Sequence, residues 1–290
     1  MEDSKAPSYA HGPPWSFKGC ALYQLHLVKA ETARAFIPRE LKLVEAFGYT
    51  LGGFFLAQYE GSPAGKFDEL VVIAGTVWNP PTSCAWATRV LVNSHEACEH
   101  GRKHVGLPSH VATFLKRTER ISDEPRDKRR GGLLNIFHRH YSFHKPKDSM
   151  EIEVSDTKGS TMTTFCNINM SSSLLNSKTN TMWMPMLRLS LPSFSGHTEY
   201  HPDLLKYSCQ IECRVQVVKP AKISGPSSAL KNDGQSKGQL SGVNGFDAKP
   251  SVEEDARECS ISVMQSKPIL ALKFNLLRMQ VEAPTTVLTN

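Results

Sequence analysis

Apolar and polar residues alternate along most of this chain, with valine, isoleucine, threonine and aromatic residues on the apolar beat. That two-residue period predicts strands. The segments that carry it are 20–28, 51–59, 69–78, 86–92, 150–155, 161–170, 186–192, 207–218 and 268–282. Helical spacing is confined to 30–36 and 94–104, and Asn93-Ser94 supplies an N-cap for the second. Pro38, Pro80, Pro81, Pro108, Pro185 and Pro192 mark turns. Many short strands with few helices predict an α+β, mainly β, fold: an antiparallel sheet curled toward a barrel.

The pattern breaks over 222–257, which is rich in Gly, Ser, Lys and Asp and poor in large apolar residues. Such a composition buries too little surface to offset its ordering entropy and predicts a disordered insertion loop. The loop interrupts the strands 207–218 and 268–282. The expected organisation is therefore a flexible N-terminus over 1–14, one domain built from 15–221 and 258–285, and the insertion 222–257. With 290 residues and 40% hydrophobic content the chain can build a sizeable core. Its longest apolar runs, such as 51–57, fall far short of the roughly 20 residues of a membrane span, so no transmembrane segment is expected. The opening Met1-Glu2-Asp3-Ser4-Lys5 has neither an apolar signal core nor the acid-poor character of a transit peptide, which points to the cytoplasm.

Charge and metal-type residues narrow the chemistry. Seven cysteines, an odd number without a C-x-x-C pair, suit reduced thiols. Cys209 and Cys213, four apart in a strand, share one face and read as core. His138, His140 and His144 would share a strand face but have no acid or cysteine to complete a site, and no H-E-x-x-H occurs, so no metal or other cofactor is expected. His100 and His104 would share a helix face. Residues 116–147 carry ten Lys or Arg against four acids, within a net charge of +6. Diluted by Glu119, Asp123, Glu124 and Asp127, this run reads as a solvated loop, and nucleic acid is not the expected partner. Neither a G-x-G-x-x-G nor a Walker pattern is present.

The stretch Gly101-Arg102-Lys103-His104-Val105-Gly106-Leu107-Pro108-Ser109-His110 resembles the signature of the acetoacetate decarboxylase superfamily, G-R-E-x-x-G-x-P-K-K. In that family the first lysine after the proline forms a Schiff base with a β-keto acid, and the second keeps it unprotonated. Here the two positions hold Ser109 and His110. A hydroxyl forms no imine, so the resemblance implies the family's curled barrel without its decarboxylation route. Residues 59–73 match the family's glycine loop, acid and apolar strand, which places Glu69 on the pocket acid and Glu60, more loosely, on a second. The family's arginine should fall near Leu27 to Lys29, where none stands. The resemblance covers about 15–215, with the last strand near 267–282, and marks Glu60, Glu69, Arg102, Gly106, Pro108, Ser109 and His110 as candidate pocket residues.

Longer blocks, WSFKGCALYQLHLVKAETARAFIP, LVEAFGYTLGGFFLAQY and VWNPPTSCAWATRVLVNS, resemble a plant branch of this superfamily that serves formation of the carotenoid neoxanthin. That resemblance implies an accessory role in xanthophyll synthesis, and so in abscisic acid precursor supply, without conversion of violaxanthin itself. It also implies biosynthetic enzymes as partners and a plastid connection at odds with the N-terminus. The residues themselves leave three readings open. An acid (Glu69), a cation (Arg102 or Lys103), a hydroxyl and an imidazole in an apolar barrel suit a mostly apolar ligand with a polar end. The same groups suit acid–base chemistry on another substrate, as a lyase or hydratase. The basic run 116–147 suits docking on nucleic acid or a membrane surface. Glu69 reads equally as a structural carboxylate paired with Arg102.

Overall fold

The computed structural model of the chain describes residues 8–119, 149–158, 161–171, 185–226 and 252–287. Trp15–Lys29 (β1) runs into a short helix, Ala30–Arg34 (α1), followed by Tyr49–Gly61 (β2), Phe67–Asn79 (β3) and Thr82–Val92 (β4). The helix His95–His100 (α2) continues as one wider π-type turn over Gly101–Val105 and leads to Ser109–Glu119 (β5). Ser149–Lys158 (β6), Thr161–Ser171 (β7), Met186–Gly196 (β8), Leu204–Val217 (β9) and Lys222–Ser224 (β10) follow. The helix Val252–Met264 (α3), Lys267–Val281 (β11) and Thr285–Thr286 (β12) close the chain.

Seven strands form a barrel. In the order β4–β3–β2–β1–β11–β9–β8 each pairs antiparallel with the next, and β8 returns to β4 through the parallel pairs Ala85–Ser193 and Trp86–Phe194. β4 forks. Its first half closes the barrel on β8, while Val90, Leu91 and Val92 pair parallel with Ser109, His110 and Val111 of β5. From β5 a second sheet, β5–β6–β7–β10, continues outside the barrel. Two apolar layers follow from strand alternation, which sends successive side chains to opposite faces. In β2, Phe55, Ala57 and Tyr59 face inward with Phe17 and Phe67, whereas Phe54 and Leu56 face outward with Leu22, Leu70 and Val72. The outer layer is covered by Ile152 and Val154 of β6, Phe165 and Ile168 of β7, and Ile261 and Met264 of α3. Truncating fully buried Leu70 to alanine is expected to cost about 2–5 kcal/mol, read as a lowered urea midpoint.

Every strand expected from alternation is present, and Ser94 caps α2 by accepting the Ala97 amide at 3.2 Å. The expected helix 94–104 is the α2 helix and its π-type turn together. Three expectations need correction. The segment 222–257 is structured at both ends, as β10 and as the first turns of α3. The helix binds the barrel through Ile261, Val263 and Met264, and its acidic first turn hid it among the polar residues before it. The N-terminus 1–14 is not uniformly flexible: Tyr9–His11 form a 3-10 turn whose Tyr9 ring stacks on His100. The run 116–147 begins as strand, with Lys116 paired to Asp68 and Arg117 to Glu153. Its remainder, including His138, His140 and His144, lies outside the described residues. No described helix is long and apolar enough to cross a membrane, and no three described His, Cys, Asp or Glu side chains cluster as a metal site.

Candidate functional site

Inside the barrel lies a cavity of about 400 Å³, within the roughly 300–1,000 Å³ of small-molecule sites. The inward rows of the strands build it: Tyr23 and Leu25 from β1, Phe55 and Tyr59 from β2, Glu69, Val71 and Ile73 from β3. One end is closed by Tyr9, Trp15, Tyr59, Glu69 and His100. The other reaches solvent past Leu25, Ser83 and the half-exposed Leu51.

The closed end is polar but carries no lysine or arginine among the described residues. The Tyr59 hydroxyl donates to Glu69 Oε2 at 2.8 Å. Burial raises the Glu69 carboxyl from its ordinary 4.5 to about 7, against the opposing pull of that hydrogen bond. Tyr9 is raised by burial first, then by Glu69 and Glu96. His100 is pushed down to about 4 by burial and by His104, so its ring is neutral at physiological pH. Tyr9 stacks on the His100 ring at 3.6 Å, and Trp15 meets it edge-on at 4.3 Å. Trp15 Nε1 and His100 Nε2 are buried without a hydrogen-bond partner among the described residues. Two unsatisfied polar atoms on the wall of an apolar cavity are what a ligand oxygen would satisfy. Cys209, also on the wall, has its thiol pushed up to about 12 by burial and by Glu69, so it is no nucleophile.

Of the candidates marked by the sequence, the structure brings Glu69 and Ser109 together on the cavity wall. The π-type turn and Pro108 deliver the chain there: the Pro108 carbonyl accepts the Val90 amide at 3.0 Å, and the next residue is buried Ser109. Gly101 makes room for it, since a Cβ there would sit 2.6 Å from Ser109 Oγ. Gly106 ends the turn with φ 69°, packed on Gly196 and Leu205, and is a backbone device rather than a wall residue. His110 faces the other side of β5, toward Arg89 and Asp156, and burial followed by Arg89 lowers it to about 4. Arg102 pairs with Glu199 and lies over the Tyr200 ring on the outside, so it does not pair with Glu69. Lys103 pairs with Glu99 on the surface, and Glu60 is exposed, opposite in parity to Tyr59. Lys29 is exposed beside Glu31. No lysine or arginine lines the cavity among the described residues.

The sequence reading missed Tyr9, Trp15, Tyr59 and His100. Tyr59 carried a signal, for it shares the inward parity of β2 that leads to Glu69 through the Ala57–Glu69 pair. Tyr9 carried none. Glu69 makes a testable contribution to stability. Between pH 4.5 and about 7 an unfolded chain has released this proton while the folded one holds it, so stability falls as pH rises through that window. Glu69→Gln is expected to remove about 2–3 kcal/mol of that decline between pH 5 and 8. Parallel pH dependences of the urea midpoint in the two proteins would contradict the buried carboxyl.

The fold is that of the acetoacetate decarboxylases. An acetoacetate decarboxylase structure superimposes with TM-score 0.51 at 9% identity, over 95% of this chain and 89% of that one. The enzyme from Legionella pneumophila gives 0.50 at 11% identity, over 95% and 88%. No family model matches the chain. Full-length relatives decide its family. The protein Neoxanthin-deficient 1 of Solanum lycopersicum is 57% identical over 289 residues, 99% of this chain and 97% of the relative. That of Arabidopsis thaliana is 52% identical over 287 residues, 99% and 98%. The chain belongs to the Neoxanthin-deficient 1 family.

Proposed function

We propose that this protein supports neoxanthin formation as an accessory, ligand-binding member of the decarboxylase-like fold, without converting violaxanthin itself. Through neoxanthin it would also support the supply of abscisic acid precursor. One observation carries the accessory reading: the cavity holds Ser109 where the family's imine lysine is expected, and no cation among its described lining residues. A β-keto acid would find neither an amine to condense with nor a positive charge for its carboxylate. The wall instead suits a neutral, mostly apolar molecule whose oxygen reaches Glu69, Trp15 and His100. A carotenoid-related end group fits that description, and the relatives' name supports it. Biosynthetic enzymes remain the expected protein partners.

A plant line lacking the gene tests the proposal. Neoxanthin is expected to fall and to return with the wild-type protein. Ser109→Ala should rescue equally, because no nucleophile is required. Ile73→Trp, which fills the cavity, should rescue poorly while its melting temperature stays close to wild type. Unchanged neoxanthin in the deletion line, or conversion of violaxanthin by the purified protein, would overturn the reading. Glu69 favours a second one. A carboxyl with pKa about 7 beside an apolar cavity is suited to acid–base catalysis, and failure of Glu69→Gln alone to rescue would point there.

A further inference from the structure

The open end of the barrel gathers apolar side chains that water does not favour. Twelve large hydrophobic residues are exposed among those described, and Phe47, Tyr49, Leu51, Trp78, Val217 and Ile269 all sit at this end. The strand register places them together. Lys29 pairs with Tyr49 and Leu27 with Leu51 where β1 meets β2. Trp78 flanks the β3–β4 hairpin, Lys267 pairs with Leu27 beside Ile269, and Leu272 pairs with Val217. Phe47 is the tip of a tight turn closed by the Ala46–Tyr49 bridge. It is fully exposed and holds φ 53°, a left-handed conformation that a bulky residue adopts only at a steric cost. A strained, wholly exposed phenylalanine is a poor choice for a surface that meets only water.

We infer that this rim docks on the surface of a lipid bilayer with anionic headgroups, with Phe47 as its inserted tip. Two further observations select that occupant. Leu51 both belongs to the rim and lines the cavity, so the apolar interior opens onto the docking face. A lipid-soluble molecule would pass between bilayer and cavity without crossing water. The charge around the rim is also one-sided. Lys42, Lys219 and Lys267 are exposed there, while Lys29 and Arg34 are matched by Glu31 and Glu45. Such a surface complements anionic lipid, and two copies of the chain placed rim to rim would oppose lysine to lysine. The inference concerns the rim and does not depend on which molecule the cavity holds.

Co-sedimentation of the full-length protein with vesicles tests it. Binding is expected to phosphatidylcholine vesicles containing phosphatidylglycerol, weaker binding to phosphatidylcholine alone, and release by salt. Phe47→Asn keeps a residue that tolerates the left-handed turn and removes the inserted ring. It should lower the partition coefficient about tenfold or more, the scale of one buried aromatic side chain. Leu115→Ser, an exposed apolar residue on β5 away from the rim, should bind as wild type does. No binding to the anionic vesicles, or equal binding by wild type and Phe47→Asn, would overturn the inference. So would a wild-type dimer in light scattering that Phe47→Asn converts to monomer in the absence of vesicle binding.

Discussion

Asp156→Ala is expected to destabilise the protein by about 3–5 kcal/mol, because it strands a buried guanidinium. Arg89 on β4 and Asp156 on β6 form an ion pair with side chains 3% and 4% exposed. Beyond that pair, the guanidiniums of Arg89 and Arg257 each lie over the Phe165 ring, at 5.8 and 5.9 Å, and Arg257 donates to the Thr164 carbonyl. The contact joins Arg89 Nη2 to Asp156 Oδ2, while Arg89 Nε and Asp156 Oδ1 have no hydrogen-bond partner among the described residues, so the compensation leans on that contact. Replacing both residues with apolar ones of similar volume, Arg89→Met with Asp156→Leu, should recover most of the loss, since neither charge is then left buried. Urea midpoints of the single and double variants check this; a loss within about 1 kcal/mol for Asp156→Ala would mean water reaches Arg89. The pair also bears on the cavity. It pins the outer sheet behind the fork in β4, where β5 holds to the barrel by three residue pairs and positions Ser109.

How much of this was legible follows from which physical signals are local. The barrel strands bury one row inside and one outside, so their two-residue period survives in the sequence and located each of them. α3 escaped because its first turn carries Glu253, Glu254 and Asp255 and only its second half, with Ile261, Val263 and Met264, is apolar. All of β5 escaped: Ser109 and His110 read as the end of a signature turn and Lys116 and Arg117 as part of a charge run, although each of those two cations has an acid across the sheet. The site was half legible. Motif spacing points to Glu69 and Ser109, which line the wall, but neighbours in the motif are not neighbours in the pocket. Strand alternation sends His110 to the opposite face of β5, and the helical phase of the turn sends Arg102 outside to Glu199. Tyr9 and Trp15 reach His100 only through tertiary packing, which no local period announces.

That alternation also decides how an imine site would be restored. Ser109→Lys alone is expected to yield a protein that borohydride traps as an adduct with a neutral ketone such as acetylacetone, whereas the wild type gives none. Ser109 is 3% exposed and already lines the cavity, so the longer side chain has the interior to extend into. Among Val90, Val92 and Phe67, desolvation disfavours the ammonium form and lowers the amine pKa, which leaves a nucleophile near neutral pH. Adding His110→Lys should not help. The second lysine would lie beside Arg89 behind the strand, where it adds a buried cation to one already held by Asp156. Acetoacetate should react less well than the neutral diketone, because no described lining residue offers its carboxylate a cation and Glu69 would repel it once ionised. Intact-mass and peptide analysis after reduction would place the adduct on the introduced lysine. A folded Ser109→Lys protein that never traps the diketone would show that this position, though on the wall, does not present its side chain to the cavity.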